Sequence, residues 1–204
     1  MRVRTDSRRE EILDVATQVF LEMGFEAATM SEVAARLGGS KTTLYGYFPS
    51  KEQLFLAVIQ HKMGGRIDPV LDALPQKLEQ EPRAVLIELG QRLNEMITRP
   101  DAAALSQIVF SQMGHPELAQ QFWDIGPRRL YEAVETYLAA LAAAGRIKAP
   151  RPKIATQHLL SLYHAEIGPP FHPGSRRPPS RREILSAVCR AVDVFLAAYG
   201  QAGK

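Results

Sequence analysis

The sequence holds a single cysteine, Cys189, so no disulfide can close within one chain. That usage fits a reducing cytosol. No apolar run approaches the ~18 residues that a spanning helix needs, and the polar, basic start MRVRTDSRREE lacks the apolar centre of a signal peptide. A cytoplasmic location without membrane contact is therefore expected. Recognisable catalytic spacing is also missing. There is no Gly-x-Ser-x-Gly, P-loop or Gly-x-Gly-x-x-Gly, and His61, His115, His158, His164 and His172 never fall in a His-Glu-x-x-His pattern. No catalytic residue, metal site or cofactor is assigned, and Cys189 is expected to be inert within an apolar helix. Period-two alternation is never sustained long enough for a convincing strand, which leaves an all-α fold. A large charge of either sign is absent too: the 204 residues carry a net +3, and their 46% apolar and 23% charged composition is that of a globular chain with a core.

What is present is concentrated in TMSEVAARLGGSKTTLYGYFPSK, from Thr29 to Lys51. Thr29 and Glu32 have the spacing of a capping box, and Val33, Ala34 and Leu37 give one apolar stripe. Gly38-Gly39 supplies a stop, since glycine takes positive φ without penalty. Ser40 is a good N-cap for a second short helix whose Leu44 and Phe48 can dock on the first. Ser50 and Gln53 then open a third. Two short helices around a glycine turn form a helix-turn-helix. With Leu44 and Phe48 facing inward, Lys41, Thr42, Thr43, Tyr45 and Tyr47 remain on the outer and leading surface. Such residues suit phosphates, base edges and thymine methyls when a helix enters the major groove. An ordinary helical hairpin with a solvated face would show the same bare pattern.

The fuller motif is more specific. ATMSEVAARLGGSKTTLYGYFPSKEQLF resembles the DNA-binding signature of the tetracycline-repressor (TetR) family of bacterial transcriptional regulators, through xTMxEVAxxxG, SKxTLYxYF and PSKEQL after a helix ending in GFEAAT. The resemblance covers about the first 60 residues without a gap. It implies an N-terminal three-helix DNA-binding domain at 1–50 (motif 29–48) and a helical effector-binding and dimerisation domain at 51–204. It also implies that Tyr47 and Lys51 hold phosphates; Lys41, Thr42 and Thr43, with Ser31 nearby, are expected at bases, and Thr29 and Tyr45 complete the expected DNA-binding set. Two residues depart from the family pattern: Gly39 stands where an apolar residue is usual, and Gly46 lies inside the recognition helix. A mid-helix glycine costs ~1 kcal/mol relative to alanine, so the recognition helix is expected to be loosely ordered until DNA holds it, and with both departures the operator sequence cannot be carried over from relatives.

Around this motif, a first helix is expected from about Ser7 to Met23, with Ser7 and Glu10 as a further capping box. Its apolar face is Ile12, Leu13, Ala16, Val19, Phe20 and Met23, and Phe25 should tuck into the small core. Residues 1–62 hold eight basic and eight acidic side chains. The arginines Arg2, Arg4, Arg8 and Arg9 lead the chain, so a locally basic face on a neutral domain is expected. A fourth helix carries Leu54, Phe55, Val58 and Ile59 to about Met63 and is the natural lever between the domains. Further helices are expected at about 68–80, 83–98, 101–113, 116–124, 127–145, 152–168 and 180–199, with prolines at or near their starts. Residues 169–180 are too rich in proline and glycine for a helix, and Arg176, Arg177, Arg181 and Arg182 read as a solvated loop and its flank, with a second nucleic-acid site as the alternative.

The last helix repeats apolar residues through Ile184, Leu185, Val188, Val192, Phe195, Leu196 and Tyr199. In the family that the resemblance implies, the last two helices pair with their copies in a homodimer, which points to Val188, Val192, Phe195 and Leu196 as interface. The alternative is that the stripe packs on its own domain beside Leu159, Leu160, Tyr163 and Ile167. The resemblance also implies a small-molecule pocket between helices 4 and 8, for which Met96, Gln107, Phe110, Phe122, Trp123, His158 and Tyr163 are candidates, with His164 as a further polar contact. Each aromatic taken alone is more often core. No acid or base cluster accompanies them, so a largely apolar, weakly charged effector is expected. QIVFSQMGHPELAQQFWDIGPRRL is similar, more weakly, to the C-terminal domain of a subgroup often linked to efflux genes. The expected protein is a homodimeric repressor released from palindromic operator DNA by a small ligand. An activator of the same fold, or a helical carrier or enzyme with a silent helix-turn-helix, are the other readings.

Overall fold

The computed structural model describes residues 2–167 and 177–201, with side chains from residue 6 onward except at 64–66. Most of the expected 169–180 loop, with His172 and Arg176, lies outside the described residues, as do the side chains of Arg2 and Arg4. Among the described residues the secondary structure is helical and contains no strand. The helices are α1 (Arg2–Ala27), α2 (Met30–Arg36), α3 (Lys41–Tyr47), α4 (Lys51–Ile59), α5 (Gly65–Ala73), α6 (Pro82–Ile97), α7 (Pro100–Ser111), α8 (Pro116–Ile125), α9 (Pro127–Ala143), α10 (Pro152–Ala165) and α11 (Arg181–Tyr199). A π-helical turn, Gln60–Gly64, joins α4 to α5, and a 3-10 turn, Leu74–Lys77, follows α5. An isolated antiparallel bridge pairs Ile147 with Gly200.

Two elements start earlier than their sequence signals. Helix α1 begins at Arg2, so Ser7 lies within it rather than capping it, and its end is kinked at Gly24, where φ is 74°. Helix α5 begins at Gly65 and carries Pro69 inside it. Proline lacks the N–H that would reach the Gly65 carbonyl, but it leaves the later turns intact.

The chain packs into two compact units, one of residues 1–64 and 101–125, the other of 65–100 and 126–204. The expected boundary at residue 50 does not coincide with this division. Leu54, Phe55, Val58 and Ile59 of α4 share one buried core with Ile12, Leu13, Ala16, Val19 and Phe20 of α1, Val33 of α2 and Leu44 of α3. Leu105 and Val109 of α7 join the same core. Phe55 sits at its centre, with ring centroids 5.0 Å from Phe20 and 5.1 Å from Phe25.

In the second unit α6, α10 and α11 interlock at Gly90. A Cβ there would lie 2.5 Å from the Tyr163 ring and 2.8 Å from Val188 Cγ1, so only glycine lets the three helices approach this closely. Tyr163 is buried and donates its hydroxyl to the Leu86 carbonyl at 2.6 Å. Burial, and secondarily Tyr137, hold its pKa well above the usual tyrosine value. Helix α11 starts with a complete capping box: Ser180 accepts from the Glu183 amide, and the Glu183 carboxylate accepts from the Ser180 amide at 2.7 Å.

Candidate nucleic-acid interface

Three caps fix the helix-turn-helix. Thr29 accepts from the Glu32 amide at 3.1 Å, Ser40 from the Thr43 amide at 3.1 Å, and Ser50 from the Gln53 amide at 3.2 Å. Each satisfies an amide that has no partner inside its own helix. The Glu32 carboxylate does not reach back to close its box. It takes Arg36 Nε at 2.8 Å instead, and Arg36 also reaches Glu22 of α1 at 2.6 Å. Arg36 thus ties α2 to α1. The turn between α2 and α3 rests on Gly38, whose φ is 61°. Gly39 has no positive φ; a Cβ there would meet the end of the flexible Arg8 side chain at 2.9 Å.

Leu44 and Phe48 face inward as their spacing predicts, at 2% and 4% exposure. Lys41, Thr42, Thr43 and Tyr45 are exposed, as are Thr29 and Ser31. The Thr43 hydroxyl lies 2.9 Å from that of Ser40, so it is shared with the cap. A Cβ on Gly46 would meet nothing within 4 Å. The recognition helix therefore presents a low, open surface one turn beyond Thr42 and Thr43. Tyr47 is half-buried against the core.

The basic residues divide in an unexpected way. Arg8 pairs with Glu11 at 2.6 Å, and the Arg9 guanidinium lies 5.4 Å from the centre of the Phe48 ring. Lys51, expected at a phosphate, is engaged elsewhere. Its ammonium donates to the carbonyls of Phe25 and Glu26, at 2.7 and 3.2 Å, and sits 4.4 Å from the centre of the Phe25 ring. Those carbonyls belong to the single turn that follows the Gly24 kink, and the ammonium gives them a partner.

Family models match this architecture along most of its length. The model for bacterial regulatory proteins of the tetR family matches residues 12–58, and that for the C-terminal domain of AefR-like transcriptional repressors matches residues 84–201. The chain belongs to the TetR family of bacterial DNA-binding transcriptional regulators. Among its TetR-family relatives, the transcriptional activator FasR of Mycolicibacterium smegmatis is 35% identical over 50% of this chain and 53% of that protein. The match thus spans about half of FasR's length. The regulator BetI of Rhizobium meliloti is 30% identical over 67% of each chain. A TetR-family regulator of Mesorhizobium loti has the same fold, with a TM-score of 0.81 at 25% identity over 97% of this chain and 98% of that one. The flavonoid-responsive regulator FrrA aligns with a TM-score of 0.73 at 26% identity over 97% of this chain and all of that one.

Set against this TetR-family architecture, the expected interface on α11 needs correction. Val188 and Val192 have no exposed surface and Phe195 has 1%. They fill the core between α11, α6 and α10, and have no surface left for a partner. The same helix exposes Leu185 at 40% and Val194 at 56%, and leaves Leu196 half-buried.

The expected ligand residues are not brought together either. Gln107, Phe110, Phe122 and Trp123 belong to one compact unit, and Met96, His158 and Tyr163 to the other. Tyr163 is sealed against Leu86, while exposed His158 bonds Tyr199 OH through Nδ1 at 2.7 Å. Met96 lies on an open groove with Arg92, Glu95 and Ile184. Phe122 alone of the set lines a closed crevice, together with Phe55, Leu56, Val109 and Gln112. A glutamine near a helix end carries no periodic signal, so the sequence alone does not single out Gln112. Among the described residues no cluster of three metal-ligating side chains occurs, and no helix is long and apolar enough to cross a membrane.

Proposed function

We propose that this chain acts in the cytoplasm as a homodimeric repressor that binds palindromic operator DNA and is released by a small, largely apolar ligand. The observation that carries the DNA half is the leading turn of α3. Lys41 and Thr42 project from a helix whose inner face is locked by Leu44, Phe48 and the Ser40 cap. In this reading Lys41, Thr42 and Thr43 read bases, with Ser31 beside them. Thr29, Tyr45 and Tyr47 hold phosphates or sugars. Lys51 acts one step removed, by fixing α1 against α4. Division of the chain into a DNA-binding part and an effector and dimerisation part follows the same reading. The AefR-like repressor match supports repression.

Dimerisation would use the exposed flank of α11 that carries Val194, Ala197 and Ala198. A two-fold protein suits a palindromic site whose half-sites lie ~34–36 Å apart. The name of FrrA, a flavonoid-responsive relative in fold, supports an aromatic effector. The FasR relative favours a second reading, that of an activator, because its name carries that role.

The deciding test is a gel shift with the DNA upstream of the chain's own gene. Thr42→Ala should change which base positions are tolerated by ~1–3 kcal/mol of discrimination. Transcription in vitro from that promoter should fall when protein is added; a rise would establish activation. Absence of specific binding, or identical site preference in parent and variant, would refute the assignment of α3.

A further inference from the structure

The crevice at Phe122 lies inside the compact unit that contains the helix-turn-helix, between α4, α7 and α8. Its walls are Phe55, Leu56, Val109, Met113, Leu118, Ala119 and Phe122, with no charged side chain among them. Its free volume is about 10 Å³, close to the room one water needs. Gln112 breaks the apolar lining. It is 7% exposed, its amide nitrogen reaches Ser111 Oγ at 3.3 Å, and its Oε1 is buried without a partner among the described residues. A buried acceptor left unpaired is costly and waits for a donor.

The outer wall is loosely held. Helix α8 contributes no fully buried residue, although Leu118 and Phe122 pack against the core. The inner wall is the opposite. Phe55 has 1% exposure and is wedged against Phe20 and Phe25, whose carbonyl Lys51 grips. A guest entering here must therefore displace α8 outward or press Phe55 inward, toward the contacts that set α1 against α4.

We infer that this crevice is the closed form of a binding site for a neutral aromatic molecule carrying one hydroxyl or N–H donor, which Gln112 Oε1 accepts. Aromatic and thioether walls favour a flat ring system, the lack of charged lining excludes an ion, and the single acceptor demands a donor. The site opens as α8 moves, a minor conformation that the guest makes dominant. This inference deepens the ligand-released reading above, since Phe55 carries the guest's pressure into the DNA-binding core.

The test uses the full chain without DNA, so it stands or falls separately from operator release. 2-Naphthol is the probe and 2-methoxynaphthalene its donor-free counterpart, both followed by calorimetry. Wild-type protein should bind the naphthol about fivefold to tenfold more tightly, the worth of one hydrogen bond. Gln112→Met, which keeps the side-chain length and removes the acceptor, should erase that difference. Ala119→Phe, checked for folding by circular dichroism, should fill the crevice and abolish both. Equal affinity of the two probes for wild type, no binding of either, or full naphthol binding by folded Ala119→Phe would overturn the site. If the site holds but naphthol leaves operator binding untouched, the release reading fails and the site remains.

Discussion

Lys51 separates two accounts of a motif residue. If it holds a phosphate, Lys51→Met should leave folding nearly unchanged and lower the salt slope of log K by ~0.9. The structure gives the ammonium other work. It accounts for two charged hydrogen bonds to the end of α1 and a place over the Phe25 ring. Hydrogen bonds to a charged group contribute ~1.5–3 kcal/mol. A partly exposed cation–π contact adds ~0.5–1 kcal/mol. These terms overlap in one ammonium, and water can reach the exposed Glu26, so the expected loss for Lys51→Met is ~1.5–3 kcal/mol rather than their sum. For a chain of this length each kcal/mol shifts the thermal midpoint by ~2–4 °C, so a drop of ~3–12 °C is expected.

Methionine keeps the aliphatic stem, so the loss reports the ammonium itself. Urea unfolding followed by circular dichroism gives the stability change, and DNA titrations at several salt concentrations give the slope. Operator affinity should fall by a similar factor at every salt concentration, because α1 and α4 no longer meet firmly while the phosphate count is unchanged. Unaltered stability with a slope reduced by ~0.9 would refute the cap and restore the phosphate assignment.

Other substitutions report on separate features. Gly46→Ala should raise stability by up to ~1 kcal/mol, since its Cβ meets nothing within 4 Å; a lower thermal midpoint would contradict the open surface. Gly90→Ala should cost ~1–3 kcal/mol by overpacking, because its Cβ would press on Tyr163 and Val188; wild-type stability would show that α10 yields freely. Val194→Asp should leave a folded monomer in sedimentation, whereas Val192→Asp should unfold the chain by burying an unpaired charge; a folded, dimeric Val194→Asp protein would place the interface elsewhere. His164 has its pKa lowered by burial. Below pH ~6.5 the unfolded chain therefore takes up a proton that the folded one refuses, and stability falls as pH drops, by at most ~1.4 kcal/mol per pH unit. His164→Leu should flatten the stability curve between pH 7 and 5, and parallel curves for parent and variant would exclude the assignment.

The helix-turn-helix was legible because its signals are local. The hydroxyls of Thr29, Ser40 and Ser50 bind amides three residues on, and Leu44 and Phe48 are one turn apart, so spacing alone predicts their roles. The pair of Arg36 with Glu32 is equally local, but its tie to α1 gave no such signal, since Glu22 is 14 residues away. The motif position of Lys51 was equally visible, but its acceptors lie 25 and 26 residues earlier. A sequence pattern records that a lysine is wanted there and leaves its partner unstated.

Helix α11 shows the same limit from the packing side. Its apolar positions cover more than half the circumference, and periodicity cannot say which arc meets the chain's own core. The answer lies in distant contacts, one of them at Gly90, on α6 and nearly a hundred residues earlier. Its missing Cβ admits the Tyr163 ring and Val188 Cγ1, on the side of α11 where Val188, Val192 and Phe195 are buried, while Leu185 and Val194 lie outside. A side chain at residue 90 would press on α10 and α11 at Tyr163 and Val188. The surface that the proposed dimer would use therefore depends on packing against α6 as well as on the residues of α11 itself.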